Sequence, residues 1–185
     1  MNRRIFIAIN LPQKIKEELK KYQNLDLPIK WVKKENFHIT LVFLGYIKDE
    51  NLPKVIEVTQ KVASKYHPFQ INIVKVSFAP PKTFPPKMIW AICEKNEELL
   101  NLKEDLFSGF SESKIPFLKE EKKFFPHITL GRISKWEFKR LDPEQIPEID
   151  EDIFLSFNVN SVDVMESHLK RGGAEYTILK AFSLT

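Results

Sequence analysis

The tetrapeptide His-Ile-Thr-Leu occurs twice in this 185-residue chain, at 38–41 and at 127–130, 89 positions apart. A repeat of four identical residues arises by chance on the order of once in a thousand such chains, so the two copies constrain the fold together. Each lies in a strand-like run, and along a strand successive side chains point to opposite faces. His38, Thr40 and Val42 therefore face one way, and Phe37, Ile39, Leu41 and Phe43 the other. The same alternation puts His127 beside Thr129, with Ile128 and Leu130 behind. The apolar faces must be covered, which leaves an imidazole and a hydroxyl side by side on each open face. A separation close to half the chain length predicts two similar lobes, related by an approximate two-fold, that bring the two strands together across a central cleft.

The rest of the chain fits that plan. Helical spacing of apolar residues marks 13–24 (Ile15, Leu19, Tyr22), 50–65 and 96–110. Pro53 is tolerated in a first helical turn, and Gly109 stands near the end of the third segment. Strand-like runs cover 3–9, 37–44, 69–78, 87–94, 126–133, 153–159, 161–167 and 175–183. The expectation is an α+β fold over residues 1–185, a single two-lobed domain of largely antiparallel sheet with helices on the outer faces. The proline-rich stretch 79–87 reads as a stiff loop rimming a site. Leu141 to Asp152, with Pro143 and Pro147, reads as a surface connection.

Bulk properties exclude several classes. The 29 basic and 25 acidic residues leave a net charge of +4, compatible with a polyanionic ligand but far from a nucleic-acid-binding tail. The lysine pairs 20–21, 33–34 and 122–123 read as solvated faces. The single cysteine, Cys93, excludes an internal disulfide and a cysteine metal cluster, and in the apolar run 88–93 it reads as a buried thiol rather than a nucleophile. Residues 5–9 form an apolar run too short for a signal peptide, and they lead through Asn10-Leu11-Pro12 into a charged helical pattern. There is no apolar span of about 18 or more residues, so no membrane helix is expected. A cytoplasmic monomer without a membrane partner is the resulting expectation.

Two imidazoles and two hydroxyls around one small volume suit phosphodiester chemistry. A nucleophilic water must lose a proton while the departing ribose oxygen gains one. Histidine, with an unperturbed pKa of about 6.5, can supply one neutral and one protonated ring near neutrality. Threonine hydroxyls can donate to the non-bridging oxygens, where transition-state charge gathers. With the proton inventory complete in the pair, neither metal nor cofactor is required. The residues by themselves are symmetric and do not say which ring is acid and which is base.

The flanks of the two tetrapeptides are more specific. Arg4 to Ile9, Trp31-Val32, Phe37 to Gly45, Ile89-Trp90-Ala91, Phe125 to Arg132 and Glu166 to Leu169 with Gly172, Gly173 and Tyr176 run over essentially the whole chain. Together they resemble the two-histidine phosphoesterase superfamily, and within it the RNA 2′,3′-cyclic phosphodiesterases, also called 2′-5′ RNA ligases. The resemblance implies a bilobal α+β fold with a central cleft. It implies hydrolysis of a 2′,3′-cyclic phosphate on RNA or a nucleotide to a 2′-phosphomonoester, with 2′-5′ ligation as the reverse reaction. By motif position His38 is the proton donor to the leaving 3′-oxygen, His127 the proton acceptor from water, and Thr40 and Thr129 the phosphate-binding hydroxyls. Lys34 and Gly173-Ala174 depart from the proline-containing turns expected there.

Weaker candidates are Arg132, Phe6, Lys82 and Lys87. Family members often carry arginine at the position of Arg132, which would bind phosphate. Strict alternation turns it away from His127, so it needs a bulge or a strand end to reach the cleft. Phe6 is a candidate for base stacking, against core packing in a chain with 15 phenylalanines. Lys82 and Lys87 could meet an RNA backbone, against a solvated role. His67 and His168 read as turn and surface residues. The rival functions are a small-nucleotide cyclic phosphodiesterase, a 2′-5′ oligoadenylate phosphodiesterase and a non-catalytic nucleotide- or RNA-binding module.

Overall fold

A computed structural model describes residues 1–118, 124–142, 144, 146–171 and 173–185. Lys122-Lys123, Pro143 and Gly172 lie outside the described residues. The strands are β1 (Asn2–Asn10), β2 (Ile29–Trp31), β3 (His38–Lys48), β4 (Phe69–Ala79), β5 (Met88–Cys93), β6 (His127–Ile133), β7 (Asp150–Val159), β8 (Ser161–Lys170) and β9 (Gly173–Ser183). The helices are α1 (Gln13–Lys20), α2 (Leu52–Ala63), α3 (Glu97–Glu112) and the single turn α4 (Lys135–Phe138). The three predicted helices and eight predicted strands are all present. Strand β2 and helix α4 escaped the periodicity reading because three and four residues are too few to show a period.

Each helix has a local cause. Asn96 caps α3 by accepting from the Leu99 amide at 2.8 Å, and Glu97 and Glu98 in the first turn complement the helix dipole. The helix then buries Leu99, Leu102, Leu106 and Phe110 on one stripe. Gly109 does not end α3. It allows α2 to approach, since a β-carbon there would stand 3.0 Å from Val58 Cγ1. In α2, Pro53 occupies the first turn, where its missing amide hydrogen costs no helical bond.

The strands form one sheet in the order β7-β4-β5-β6-β3-β1-β8-β9, with β2 paired separately to β6, and every pairing is antiparallel. The order divides at its centre into two four-stranded halves: β3-β1-β8-β9 on one side, β6-β5-β4-β7 on the other. These halves are the two expected lobes, and they meet through one register pair, Ile39 opposite Ile128. Helices α2 and α3 pack together, with α2 on β8 and β9 and α3 on β3, whereas α1 lies against β7.

Simple alternation fails beyond the tetrapeptides. Against β1, strand β3 has irregularities that leave Leu41 and Leu44 without partners. Against β5, strand β6 has one that skips Leu130. Each bulge adds a residue and reverses the facing of the residues beyond it. Val42, expected on the open face, is 5% exposed in the core, and Phe43, expected in the core, lies on the cleft side. In β6 the same device buries Gly131 and turns Arg132 to the cleft.

Candidate active site

Ile39 and Ile128 face each other across the β3–β6 join, and both are fully buried. Residues directly opposite in an antiparallel pair point to the same side. One step along, His38 therefore stands opposite Thr129, and Thr40 opposite His127, all four on the face away from the core. They line one cleft of about 630 Å³. The two imidazoles occupy one diagonal of this square and the two threonines the other.

Both rings are held at Nδ1 by a backbone carbonyl. His38 Nδ1 donates to Asn36 O at 2.7 Å, and His127 Nδ1 donates to Phe125 O at 2.6 Å. A carbonyl can only accept, so each neutral ring carries its hydrogen on Nδ1 and keeps Nε2 as an acceptor. The Thr40 hydroxyl donates to His38 Nε2 at 2.9 Å. The turn that supplies Asn36 is itself pinned: Lys16 Nζ donates to Glu35 O at 2.8 Å, and Asn36 Nδ2 to Ala174 O at 2.8 Å.

The aromatic surroundings differ between the two rings. His38 lies among Phe6 and Tyr176, each with its centroid 5.1 Å away and its plane inclined. His127 is stacked on Trp90 at 3.7 Å and 22°. Burial pushes the His38 pKa down to about 4, assisted by the charges of His127, Lys16 and Arg132 and opposed by the Asn36 carbonyl. Burial also pushes His127 down, with Arg132 adding to it and the Phe125 carbonyl opposing. Both rings are therefore neutral at pH 7 in the free protein.

Among the described residues, cations dominate the cleft: Arg4, Lys30, Lys33, Arg132 and Lys170, against one carboxylate, Glu175, which pairs with Lys170. Arg132, displaced by the bulge, reaches the site beside His127 and Thr129. Its Nη1 lies 3.8 Å from Met88 Sδ, a weak acceptor. Arg4 rests its guanidinium over the Phe43 ring at 4.7 Å and donates to Ser167 Oγ at 3.0 Å. Phe6 lines the cleft floor but is only 3% exposed, packed with Ala8 and Met165. Lys82 and Lys87 are not among the described lining residues. His67 binds the Thr185 carbonyl, and His168 stands beside Glu166 at 3.7 Å, both outside the cleft. The residue pattern alone does not mark Arg4, Phe43, Trp90 and Tyr176 as site residues. The bulge that exposes Phe43 leaves no mark in the residue pattern, and the other three need the pairing of distant strands.

Among the described residues no group of three or more His, Cys, Asp or Glu side chains could hold a metal ion. No described helix is long and apolar enough to cross a membrane.

The sequence profile of the family described as LigT like Phosphoesterase matches residues 9–90, which include the first motif. An RNA 2′,3′-cyclic phosphodiesterase of Aquifex aeolicus is 30% identical over 171 residues, covering 92% of this chain and 89% of the relative. One from Methanocaldococcus jannaschii is 28% identical over 179 residues, covering 96% and 98%. Among solved structures, TT0787 of Thermus thermophilus superposes with a TM-score of 0.83 at 30% identity, covering 98% of this chain and 97% of that one. Escherichia coli LigT complexed with 3′-AMP shares the fold with a TM-score of 0.78 at 24% identity, covering 100% and 99%. The chain belongs to the LigT-like phosphoesterases, in the family of the RNA 2′,3′-cyclic phosphodiesterases.

Proposed function

We propose that this protein hydrolyses the 2′,3′-cyclic phosphate at the end of an RNA to a 2′-phosphomonoester, with His38 as general acid and His127 as general base. The names of its relatives support the substrate. The observation that carries the chemistry is the pair of imidazoles on one cleft face, each tied at Nδ1 to a carbonyl and each with Nε2 as its working atom.

The anionic phosphate enters a cleft rich in cations and meets two rings that burial keeps neutral. Its charge raises their proton affinity, and one ring takes up a proton with the substrate. A water oxygen attacks phosphorus as its proton passes to His127 Nε2. The P–O3′ bond breaks, and O3′ takes the proton from His38 Nε2, leaving a 3′-hydroxyl and a 2′-phosphomonoester. Thr40, Thr129 and Arg132 donate to the non-bridging oxygens, where charge gathers in the transition state. With the 5′-hydroxyl of an RNA end in place of water, its oxygen attacks phosphorus, its proton passes to His127 and O3′ again leaves with the proton of His38, which makes a 2′-5′ linkage.

The test is product analysis on an oligonucleotide ending in a 2′,3′-cyclic phosphate, with a chelator present. The expected product is the 2′-phosphate, and His38→Ala and His127→Ala should each lower turnover by roughly 10²–10⁴-fold while remaining folded. A 3′-phosphate product would reject the leaving-group assignment, and full activity in either variant would remove that histidine from the pair.

A further inference from the structure

We propose that Trp90 is a positioning residue for the reaction: its indole face backs the imidazole of His127, fixes the plane of that ring, and stabilises the imidazolium formed as His127 takes the proton of the attacking water. This rests on the role of His127 as base proposed above. Trp90 lies on β5 directly opposite Thr129, one strand from the catalytic pair. Its contact with His127 is the one close parallel stack among the described aromatic pairs, at 3.7 Å and 22°. Phe125 packs against the indole at 5.8 Å, while the Phe125 carbonyl holds His127 Nδ1. The ring is thus gripped by face and by edge from a single aromatic unit.

Trp90 is 7% exposed and is not among the described cleft-lining residues, so its face serves His127 and not a substrate base. Its Nε1 is buried with no partner among the described residues. That is a cost which phenylalanine at the same place would avoid. Packing alone therefore gives no reason for an indole, whereas attraction for a cation does, because indole is the aromatic ring that binds a cation best.

The first histidine has no such backing. Phe6 and Tyr176 meet His38 at inclinations of 42° and 88° from 5.1 Å. The difference matches the direction of proton flow. His38 begins the reaction charged and ends neutral, so burial assists it. His127 begins neutral and ends charged, so it needs a partner for the cation. Among the described residues, the charged or titratable groups facing His127 are Arg132 on its own strand and His38 on β3. Strand β5 presents Trp90 and Ile92 beside it, and the preceding segment presents the Phe125 carbonyl. Arg132 disfavours the imidazolium, and the indole offsets it.

The test titrates His127 by NMR in the full chain carrying Trp90→Leu or Trp90→Phe, alongside kcat and KM on a cyclic-phosphate oligonucleotide across pH. Trp90→Leu should lower the His127 titration by about one pH unit and kcat by roughly tenfold, with KM nearly unchanged. The base limb of the kcat profile should move with it, and Trp90→Phe should recover more than half of both effects. An unmoved His127 titration in Trp90→Leu, or equal losses in both variants, would overturn the proposal. Should the leucine variant fail to fold, the His127 titration must fall from Trp to both Tyr and Phe at this position, and a titration as high with Tyr or Phe as with Trp overturns the proposal. Absence of turnover in the unmutated protein would reject the proposed reaction, while the titration would still decide the stacking.

Discussion

His38 couples proton uptake to folding, and the coupling can be measured without substrate. In the unfolded chain the ring titrates near 6.5, and in the folded protein burial lowers this to about 4. Between those values the unfolded chain holds a proton that the folded one excludes. The folded state therefore has its full stability above about pH 6.5 and loses it as pH falls toward 4. Each pH unit in that window is worth up to about 1.4 kcal/mol, so going from about pH 7.5 to about pH 4.5 costs about 2.5 kcal/mol through this residue alone. Urea denaturation of wild type and His38→Gln at both pH values isolates the contribution, because the other titrating groups are common to the two proteins. The acid-induced loss should be about 2.5 kcal/mol smaller in the variant. Inorganic phosphate should shrink the loss in wild type, since an anion in the cleft binds the protonated ring preferentially. Equal acid sensitivity in the two proteins would show that the fold does not exclude a proton from His38, and the account of how the acid acquires its proton would fall with it.

Three further outcomes rest on the same geometry. The bell-shaped kcat/KM profile, which reports the free protein, should centre below about pH 6.5, and the kcat profile should lie at higher pH because bound phosphate raises both histidines; coincident profiles would argue against substrate-assisted protonation. Arg132→Ala should reduce kcat/KM by roughly 10–100-fold through loss of a charged hydrogen bond, and NMR should show His127 titrating at higher pH. Gly131→Ala would place a β-carbon 2.5 Å from Ile29 Cγ2 and 2.9 Å from Trp31 Cε3. Urea denaturation should show a loss of roughly 1–3 kcal/mol from this overpacking, accompanied by a raised KM as Trp31 and Arg132 shift.

Much of the fold was legible because its signals are local. The 3.6-residue stripes of α1 to α3 and the alternating strands each declare themselves within a dozen residues. The His-x-Thr spacing also carries its own facing, because no bulge interrupts 38–40 or 127–129. The features that stayed hidden depend on partners far along the chain. The bulge at Leu130 exists only against β5, so strict alternation along the sequence sends Arg132 to the wrong face. Alternation sends Phe43 to the core, but that alternation breaks two residues earlier. Trp90 reads as one more apolar residue in a buried strand, and only the β5–β6 register sets it against His127.

The strand order also bears on how the protein is made. The chain does not complete one lobe before starting the next: β4 follows α2 yet joins the second half-sheet, and β8 returns to flank β1, with β9 paired outside it. On the ribosome, β1 and β3 emerge early, but β1 keeps an open edge until residues 161–170 have been synthesised. Tyr176, which packs against His38, arrives later still. A nascent chain can therefore pair its first strands long before it has an intact catalytic wall. The strands of the second half-sheet, β4 to β7, come from one continuous stretch, whereas the first half-sheet is assembled from both ends of the polypeptide. The lobe that carries His38 therefore closes last, and it cannot be cut out as a continuous half-enzyme.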